Sequence, residues 1–600
     1  MIKELITAFT ITLTACSLQA TEYHVSPGGL DSNKGSKSEP FQTISAAAHI
    51  AQPGDIITVH EGTYRERVNP PRGGTSDDKR IVYQAVPGEK VVIKGSEIIK
   101  QWEKIQEGVW KVTLPNSFFG DFNPYNDIIQ GEWHDDKGYP RNTGTIYVNG
   151  TWMDEAETVE QVVAPIGKLP LWKAEVDENN TTICAQFKGI DPNKELVEIN
   201  VRQSVFYPDE PGRNYITVRG FTMRHAATPW SGAMSEQIGL IGTHWSKGWI
   251  IENNRISHSM NTGITLGRYD LGRYGMKMPE ATAPGFVDSI ELALEHGWSK
   301  EEIGSHVVSN NHISHCEKNG IHGSLGGIFS TIEGNTICDI AMRGWIGGAD
   351  VAGLKLLGAH DALIKGNHIY RCGGYGGMWL DWMAQGTRVT GNLFHDNSRF
   401  NLFMEVNHGP FVIDNNIFLP SRVHDLKDCS QGGAYVHNLI VGSIGFTGGA
   451  KRKTPFHEAH STKIAGCTDL SGGDDRFYNN MFLGEDVLKT YDEARQPITA
   501  VGNLVIEAAT IIKKPDGVYL EITTRNRSDR KAGEHPMVTT ELLGKTKVSG
   551  LPYDNPDGSH LRIDRDYFGN KREQNHVACG PFASVKEGKQ LIKIWPKKGL

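Results

Sequence analysis

The chain has 600 residues, of which 38% are hydrophobic and 68 are glycine. This length exceeds what one compact core usually holds, so we expect several domains or one elongated repeat. The formal net charge of -8 and the pI near 6.3 argue against a nucleic-acid partner or an anionic membrane surface. A neutral ligand fits this charge better.

The first 20 residues predict an export signal. Lys3 precedes an apolar run from residue 5 to residue 15, which is too short to span a bilayer and has the length of a signal core. Two cleavage sites remain open, one after Ala20 and one before Cys16, where Leu13-Thr14-Ala15-Cys16 matches the bacterial lipobox. We expect an exported protein, either periplasmic or secreted, or attached to a membrane through lipid on Cys16.

A short motif of apolar residues followed by Asn-Asn or Gly-Asn recurs along the chain. Its copies end at Asn254, Asn311, Asn335, Asn367, Asn392, Asn416, Asn438, Asn480 and Asn503. Several neighbours are 24 (311 to 335), 25 (367 to 392), 24 (392 to 416), 22 (416 to 438) and 23 (480 to 503) residues apart. Leucine-rich repeats share this period, but their leucine rows are absent here. One repeat per turn of a coil predicts an all-β fold, a right-handed parallel β-helix of the pectate-lyase-like type.

The segments around the repeats divide the chain further. Residues 21–95 are predicted to begin the coil, with a small capping helix at 41–51. Residues 96–204 lack the motif and contain alternating strands, which predict an inserted β-sandwich. Residues 205–505 form the main coil, with a short amphipathic helix at 288–297. Residues 506–600 are strand-rich and are expected to pack on the coil.

Cysteine and acid spacing gives no sign of a metal site. Seven cysteines follow Cys16, and no CxxC spacing indicates zinc or a disulfide framework, so we expect buried free thiols. The predicted chemistry requires no cofactor. A structural calcium ion is not indicated, and the sequence leaves open whether the protein is a homo-oligomer.

Two carboxylates occupy the same position in two consecutive repeats. Asp381 precedes Asn392 by 11 residues, and Glu405 precedes Asn416 by 11 residues. Rungs of a parallel coil stack about 4.8 Å apart, so these side chains would lie roughly 5 Å apart. That is the separation of a retaining glycosidase, whereas an inverting one needs about 6.5 Å or more. Apolar neighbours would raise the pKa of one acid. The alternative is a solvated acidic stripe on the outer face.

The residues also resemble those of a known family. The marker segments are 114–120 (LPNSFFG), 225–230 (HAATPW), 245–252 (WSKGWIIE), 379–382 (WLDW) with 384–389 (AQGTRV), and 472–480 (GGDDRFYNN). They occur in the order found in glycoside hydrolase family 120, the β-helix β-xylosidases, and the resemblance runs through nearly the whole mature chain. The resemblance implies a retaining exo-enzyme that releases β-D-xylose from the nonreducing end of xylo-oligosaccharides by double displacement.

The resemblance also implies site residues. Asp381 matches the family nucleophile and Glu405 its general acid/base, in agreement with the register. Trp133, from the inserted domain, and Asp350 match sugar-binding residues. Trp382, beside Asp381, and His408, three residues after Glu405, are further predicted substrate contacts.

Departures from the family pattern leave the pentose preference open. Ala349 and Ser324 stand where the family pattern has histidine, and Asp350 stands where it has a longer acid. Three alternatives therefore remain: another pentosidase, a β-helix polysaccharide lyase, and a non-catalytic carbohydrate-binding coil. The lyase would need clustered calcium-binding acids and a basic residue such as Lys355 or Arg388.

Overall fold

The computed structural model describes residues 20–164, 170–268, 283–524, 535–574 and 577–597. Residues 1–19 of the predicted export signal, which include Cys16, lie outside these ranges. Within them, no helix is long and apolar enough to cross a membrane. The cysteines that the structure describes are free, as predicted, and most are buried, although Cys467 is exposed.

Three long parallel sheets, A, B and C, wind around one axis and form the coil. Sheet A contains, in order, Glu22–Val25, Ile56–Val59, Ile81–Ala85, Ile216–Arg219, Ile250–Glu252, Val307–Ser309, Thr331–Glu333, Leu363–Lys365, Thr387–Thr390, Phe411–Asp414, Gly433–Val436, Arg476–Tyr478 and Thr499–Val501. Sheet B contains Gly62–Tyr64, Val91–Lys94, Thr222–Ala226, Arg255–Ser259, His312–Cys316, Thr336–Ile340, His368–Cys372, Leu393–His395, Ile417–Phe418, Leu439–Ile440, Met481–Phe482 and Leu504–Val505. Sheet C contains Ile241–Gly242, Thr262–Thr265, Asn319–Ser324, Ala352–Leu357, Gly376–Asp381, Phe400–Glu405, His424–Cys429 and Ile444–Phe446. The predicted parallel β-helix is confirmed.

The repeated asparagines form a continuous ladder at the corner between sheets A and B. Asn367 donates its backbone N–H (2.9 Å) and its side-chain amide (3.0 Å) to Oδ1 of Asn392, and Asn392 repeats both bonds to Asn416. The amide of Asn392 also donates to the carbonyl of Ile364 at 3.0 Å. All three asparagines are fully buried, so the ladder satisfies polar groups that water cannot reach.

An inserted β-sandwich separates the first rungs from the main coil, as predicted. One sheet contains Thr151–Trp152, Ile146–Val148, Val197–Asn200 and Ser96–Ile98, and the other Asp154–Glu155, Leu171–Val176, Asn180–Gln186, Val109–Pro115 and Glu103–Gln106. Their facing side chains, including Trp172 and Ile183, form a separate core. The sandwich also sends a strand, His134–Asp135, to pair with Gly347–Gly348 of the coil.

Helices and hairpins complete the structure. The helices are Ile44–Ile50, Val159–Val163, Ala283–Glu295 and Thr540–Leu543, and the 3₁₀ turns are Asp77–Lys79, Asn116–Phe119 and Lys489–Tyr491. The first helix packs on the end of the coil core, as expected, with Thr43 as its N-cap. The third begins five residues before its predicted start at Asp288. Strands Ala450–His457 and Ile464–Leu470 form the rim hairpin. Ala508–Lys514, Gly517–Thr524 and Gly588–Trp595 form a C-terminal sheet, whose side chains pack against sheet B.

Replacing Asn392 by alanine tests the ladder. The change leaves the backbone N–H of Asn367, one hydrogen of its side-chain amide and the carbonyl of Ile364 without the partners that Asn392 supplied, so we expect stability to fall by roughly 3 kcal/mol. The matched control is Asn126→Ala, because Asn126 is exposed in the inserted sandwich. Scanning calorimetry would show a clear drop in the unfolding temperature for Asn392→Ala alone. Equal unfolding temperatures for the two variants would contradict a stabilising ladder.

Candidate active site

The candidate site lies on the outer face of sheet C. Successive side chains of a strand alternate between its two faces. In the strand Gly376–Asp381, Met378 and Leu380 belong to the coil core, which turns Trp379 and Asp381 outward. The next strand, Phe400–Glu405, repeats this alternation and turns Glu405 outward. The outward face of these two rungs therefore combines carboxylates with aromatic rings.

Asp381 and Glu405 are direct neighbours across these rungs. The two strands are parallel, and their register pairs Asp381 with Glu405 without a bulge. This confirms the predicted phase. At the ordinary spacing of about 4.8 Å between strands, the two side chains leave the sheet as an adjacent pair. At this spacing the charge of Asp381 disfavours ionisation of Glu405 and raises its pKa.

The surroundings of the two acids differ. Desolvation raises the pKa of Glu405 to about 8, and the charge of Asp381 acts in the same direction. The cations Lys355 and Arg452 oppose this shift without cancelling it. Asp381 instead receives an ion pair, because Nζ of Lys355 lies 3.0 Å from its Oδ2. A protonated Glu405 therefore lies next to a carboxyl group that is paired with a cation.

A buried ion-pair network forms the floor beside Asp381. Lys355 bonds to Asp350 as well as to Asp381, and its Nζ lies 3.6 Å from the centroid of the Trp379 ring. Burial disfavours the charge on Lys355, but the two carboxylates outweigh burial and hold its pKa above the ordinary value. Burial would raise the pKa of Asp350, yet Lys355 and Lys318 hold it below the ordinary value. Both partners therefore stay charged.

Aromatic rings and the inserted domain enclose the site as a pocket of about 310 Å³. Trp379 and Phe403 stack with their centroids 5.1 Å apart, and Tyr375 packs on Trp379 at 4.3 Å. Such faces suit the C–H surfaces of a sugar. Trp133 and Asp350 both line the pocket. The structure therefore brings Asp381, Glu405, Asp350 and Trp133 together, as the sequence predicts.

Trp133 reaches the pocket from the inserted sandwich. Its side chain is 51% exposed, and the following strand is paired to the coil. Its backbone carbonyl accepts a hydrogen bond from Ala349 at 3.0 Å. The preceding Glu132 accepts bonds from the backbone of Met234 and, at 3.1 Å, from the hydroxyl of Ser235. These contacts fasten one wall of the pocket to the coil.

Trp382 and His408 do not line the pocket, so the prediction that they contact substrate is corrected. Both are buried beneath the rim hairpin. The indole N–H of Trp382 donates to Oγ1 of Thr454 at 3.1 Å. Nε2 of His408 donates to the carbonyls of Thr454 (3.0 Å) and Thr468 (3.3 Å). Both residues follow the ends of the catalytic strands, where the chain turns away from the site.

Sequence reasoning did not assign Lys355, Trp379 or Arg452 to a sugar site. The repeat could have located Lys355 and Trp379, because it places them at equivalent positions of successive rungs. In the structure, Lys355 pairs with Trp379 and Leu357 pairs with Asp381 in the same register. Trp379 is therefore an outward position of the rung that holds Asp381, and Lys355 is the equivalent position one rung earlier. The repeat could not have located Arg452, because the rim hairpin lies outside the repeat.

Comparisons with known proteins found matches for several parts of the chain. The family model "Glycoside hydrolase 120, insertion domain" matches residues 99–171, "Right handed beta helix region" matches 301–438, and "Protein of unknown function (DUF1565)" matches 27–69. A solved structure described as the complex of XylC with xylose is 38% identical, with a TM-score of 0.88, over 96% of this chain and 100% of that chain. A 75-residue segment is 39% identical to the uncharacterized protein YwoF of Bacillus subtilis (strain 168), covering 12% of this chain and 16% of that protein.

The fold and the paired carboxylates define a glycoside hydrolase built on a right-handed parallel β-helix. The similarity over almost the entire length of both chains identifies the group within that class. The chain belongs to glycoside hydrolase family 120.

Replacing Lys355 by methionine tests the ion-pair network. The variant would leave two carboxylates beside a buried apolar side chain, so we expect stability to fall by about 3 kcal/mol. The matched control is Lys365→Met, because the pair between Lys365 and Glu333 is solvent-exposed and contributes at most about 1 kcal/mol. Denaturant unfolding at neutral pH would measure both. A loss for Lys355→Met no larger than the control would refute a stabilising role.

Proposed function

We propose that the protein is a retaining β-xylosidase that removes xylose from the nonreducing end of xylo-oligosaccharides. The main support for this proposal is that Asp381 and Glu405 are paired on adjacent rungs. The rung spacing of about 4.8 Å suits a retaining pair, whose carboxyl groups are about 5 to 5.5 Å apart. An inverting enzyme would need room for a water molecule between sugar and base, which adjacent rungs do not provide.

In the first step, a carboxylate oxygen of Asp381 attacks the anomeric carbon. The bond from that carbon to the glycosidic oxygen breaks, and Glu405 gives its proton to the departing oxygen. The raised pKa of Glu405 keeps this proton available near neutral pH. Lys355 Nζ holds one carboxylate oxygen of Asp381 at 3.0 Å, which leaves the other oxygen for attack.

In the second step, Glu405 acts as a base. It takes a proton from water, whose oxygen attacks the anomeric carbon and displaces Asp381. Two inversions give net retention, and both carboxyl groups return to their initial states. Loss of the Asp381 charge in the covalent intermediate lowers the pKa of Glu405, because that charge helps to raise it. The same residue is therefore an acid in one step and a base in the next.

The pocket supports a small terminal sugar as the substrate unit. The similar XylC structure was determined with xylose, and this chain matches it along its whole length. The cavity of about 310 Å³ is at the lower end of the usual range for ligand pockets. Trp133 and the ion pair of Asp350 with Lys355 close one side of it. A closed side favours removal of an end unit over binding along a chain.

Hydrolysis of 4-nitrophenyl β-D-xyloside, followed by NMR, tests the function and the stereochemistry. We expect β-xylose as the first product and a loss of at least about 1,000-fold in kcat for Asp381→Asn, which keeps the shape but removes the nucleophile. Asp396→Asn, an exposed acid on a neighbouring rung, is the control. First appearance of α-xylose would exclude double displacement, and hydrolysis only of other pentosides would exclude the xylose preference.

Glu405→Ala combined with sodium azide separates the two roles of Glu405. Nitrophenolate departs without a proton, so the variant should form the covalent intermediate and then stall for lack of a base. Azide needs no base, so it should restore turnover and yield β-xylosyl azide, detectable by mass spectrometry and NMR. Asp381→Ala should form no β-xylosyl azide. Failure of azide to accelerate the Glu405 variant would argue against its acid/base role.

The pH profile follows from the raised pKa of Glu405. A raised pKa means that the protonated acid persists to higher pH and is lost as pH rises through about 8. We therefore expect kcat/KM for xylobiose to fall above this pH. For 2,4-dinitrophenyl xyloside, whose leaving group needs no proton, the fall should be much weaker. Identical basic limbs for both substrates would show that another group controls the profile.

A further inference from the structure

Hydrogen bonds hold the main chain around Asp350 in a buried turn beside the pocket. Asp350 has a φ of 70°, a left-handed conformation that is uncommon for residues other than glycine. The side-chain amide of Asn319 donates to its carbonyl at 2.6 Å, and the N–H of the preceding Ala349 donates to the carbonyl of Trp133 at 3.0 Å. These bonds fix the main chain from which the Asp350 carboxylate projects.

Both carboxylate oxygens of Asp350 have partners within the protein. Oδ1 accepts from Nζ of Lys355, and Oδ2 accepts from the backbone N–H of Ala233 at 3.1 Å. Asp350 lines the pocket, but only 2% of the residue is exposed. The main charged interaction of this carboxylate is therefore with Lys355, and little of the residue faces the cavity.

Lys355 is shared between two carboxylates. Its Nζ bonds to Asp350 and lies 3.0 Å from Oδ2 of Asp381. The same ammonium lies 3.6 Å from the centroid of the Trp379 ring. Because Lys355 is buried, water screens these charges weakly, and each carboxylate competes with the other for the ammonium. Asp350 therefore draws part of the Lys355 charge away from Asp381.

A second lysine, Lys318, also acts on Asp350. Burial alone would raise the pKa of Asp350, but the charges of Lys355 and then Lys318 outweigh burial and lower it. Burial lowers the pKa of Lys318 to about 8, so below this pH it is charged. His322 lies 3.5 Å from Lys318 Nζ, and burial together with Lys318 holds its pKa well below the ordinary value, which keeps it neutral. Asp350 is therefore an ionised group between two cations.

The charge of Asp381 changes in opposite directions in the two steps of the proposed mechanism. Asp381 loses its negative charge when it bonds to the anomeric carbon, and it regains that charge when water displaces it. A Lys355 that paired with Asp381 alone would stabilise the free carboxylate. Such pairing would slow the first step and favour the second. By drawing Lys355 toward itself, Asp350 acts in the opposite sense and favours the attack of Asp381 on the sugar.

We propose that Asp350 is a positioning residue that divides Lys355 between itself and the nucleophile, and so keeps Asp381 reactive toward the sugar. Asp350 acts on the first step through Lys355 and not through a contact with the substrate. This role differs from the sugar contact that the family resemblance implies for Asp350. The inference rests on the proposed function, because double displacement is what gives Asp381 a covalent state.

One reagent, 2,4-dinitrophenyl 2-deoxy-2-fluoro-β-D-xyloside, measures both steps. It should inactivate the wild-type protein by forming a fluoroxylosyl ester on Asp381, which intact mass and peptide mapping would detect. The rate of inactivation reports the first step, and the recovery of activity after removal of the reagent reports the second. Asp350→Asn removes the charge, and asparagine tolerates the left-handed backbone. At a pH below the pKa of Lys318, we expect inactivation of this variant to be at least about tenfold slower and recovery to be no slower than in the wild type.

Two further variants support the comparison. Asp339→Asn is the matched control, because Asp339 also has a left-handed backbone (φ 55°) and a partly exposed ion pair with Arg371. This control should leave both rates unchanged. Lys318→Met should have the opposite effect to Asp350→Asn, because Lys355 would then be drawn closer to Asp350 and away from Asp381. We expect recovery of Lys318→Met to be at least about threefold slower, with inactivation no slower than in the wild type.

The outcomes separate the two proposals. Slower recovery together with slower inactivation in Asp350→Asn would mean that Asp350 stabilises both transition states, as a sugar contact does, and would overturn the positioning role. Unchanged rates in this variant would overturn it as well. If Asp350→Asn does not fold, Lys318→Met decides, because recovery at the wild-type rate would contradict the sharing of Lys355. A wild-type protein that forms no ester on Asp381 would overturn double displacement itself, and this inference with it.

Discussion

Hydrogen bonding between adjacent parallel strands is the interaction on which this site depends. The backbone ladder of sheet C fixes the register of Gly376–Asp381 and Phe400–Glu405, and that register makes Asp381 and Glu405 neighbours. Their separation is set by the rung spacing and not by side-chain contacts. Desolvation, the ion pair with Lys355 and the mutual repulsion of the acids then act on a pair that the main chain has already positioned. The asparagine ladder supports the same spacing at another corner of each turn.

Two parts of the protein outside the coil also contribute side chains to the pocket. The inserted sandwich brings Trp133 to the pocket, and the rim hairpin brings Arg452 to it. Hydrogen bonds close to the acids hold both parts on the coil. Those of the sandwich involve Glu132 and Ala349. Those of the rim hairpin involve Trp382 and His408. The coil therefore supplies the paired acids, and the insertions supply walls of the pocket around them.

The repeating coil and the inserted sandwich could be predicted from the sequence, but the packing of the rim hairpin on the coil could not. The spacing of the asparagines predicted the β-helix. Asp381 and Glu405 each precede a repeated asparagine by 11 residues, and this predicted that they lie on adjacent rungs. Trp382 and His408 were assigned wrongly because closeness in sequence does not determine direction, and the chain turns away just after each catalytic strand. The position of Arg452 depends on packing between a hairpin and the coil, which leaves no periodic signal in the sequence.

The ladder of sheet C also limits how such a protein can change during evolution. A single residue added within either Gly376–Asp381 or Phe400–Glu405 would move one acid to the opposite face of the sheet and separate the pair, because side chains alternate along a strand. A loop added at a corner between strands leaves the ladder intact, as the 450–470 excursion and the inserted sandwich both show. Corner loops are thus the places where a β-helix of this kind can acquire new substrates while its chemistry stays constant.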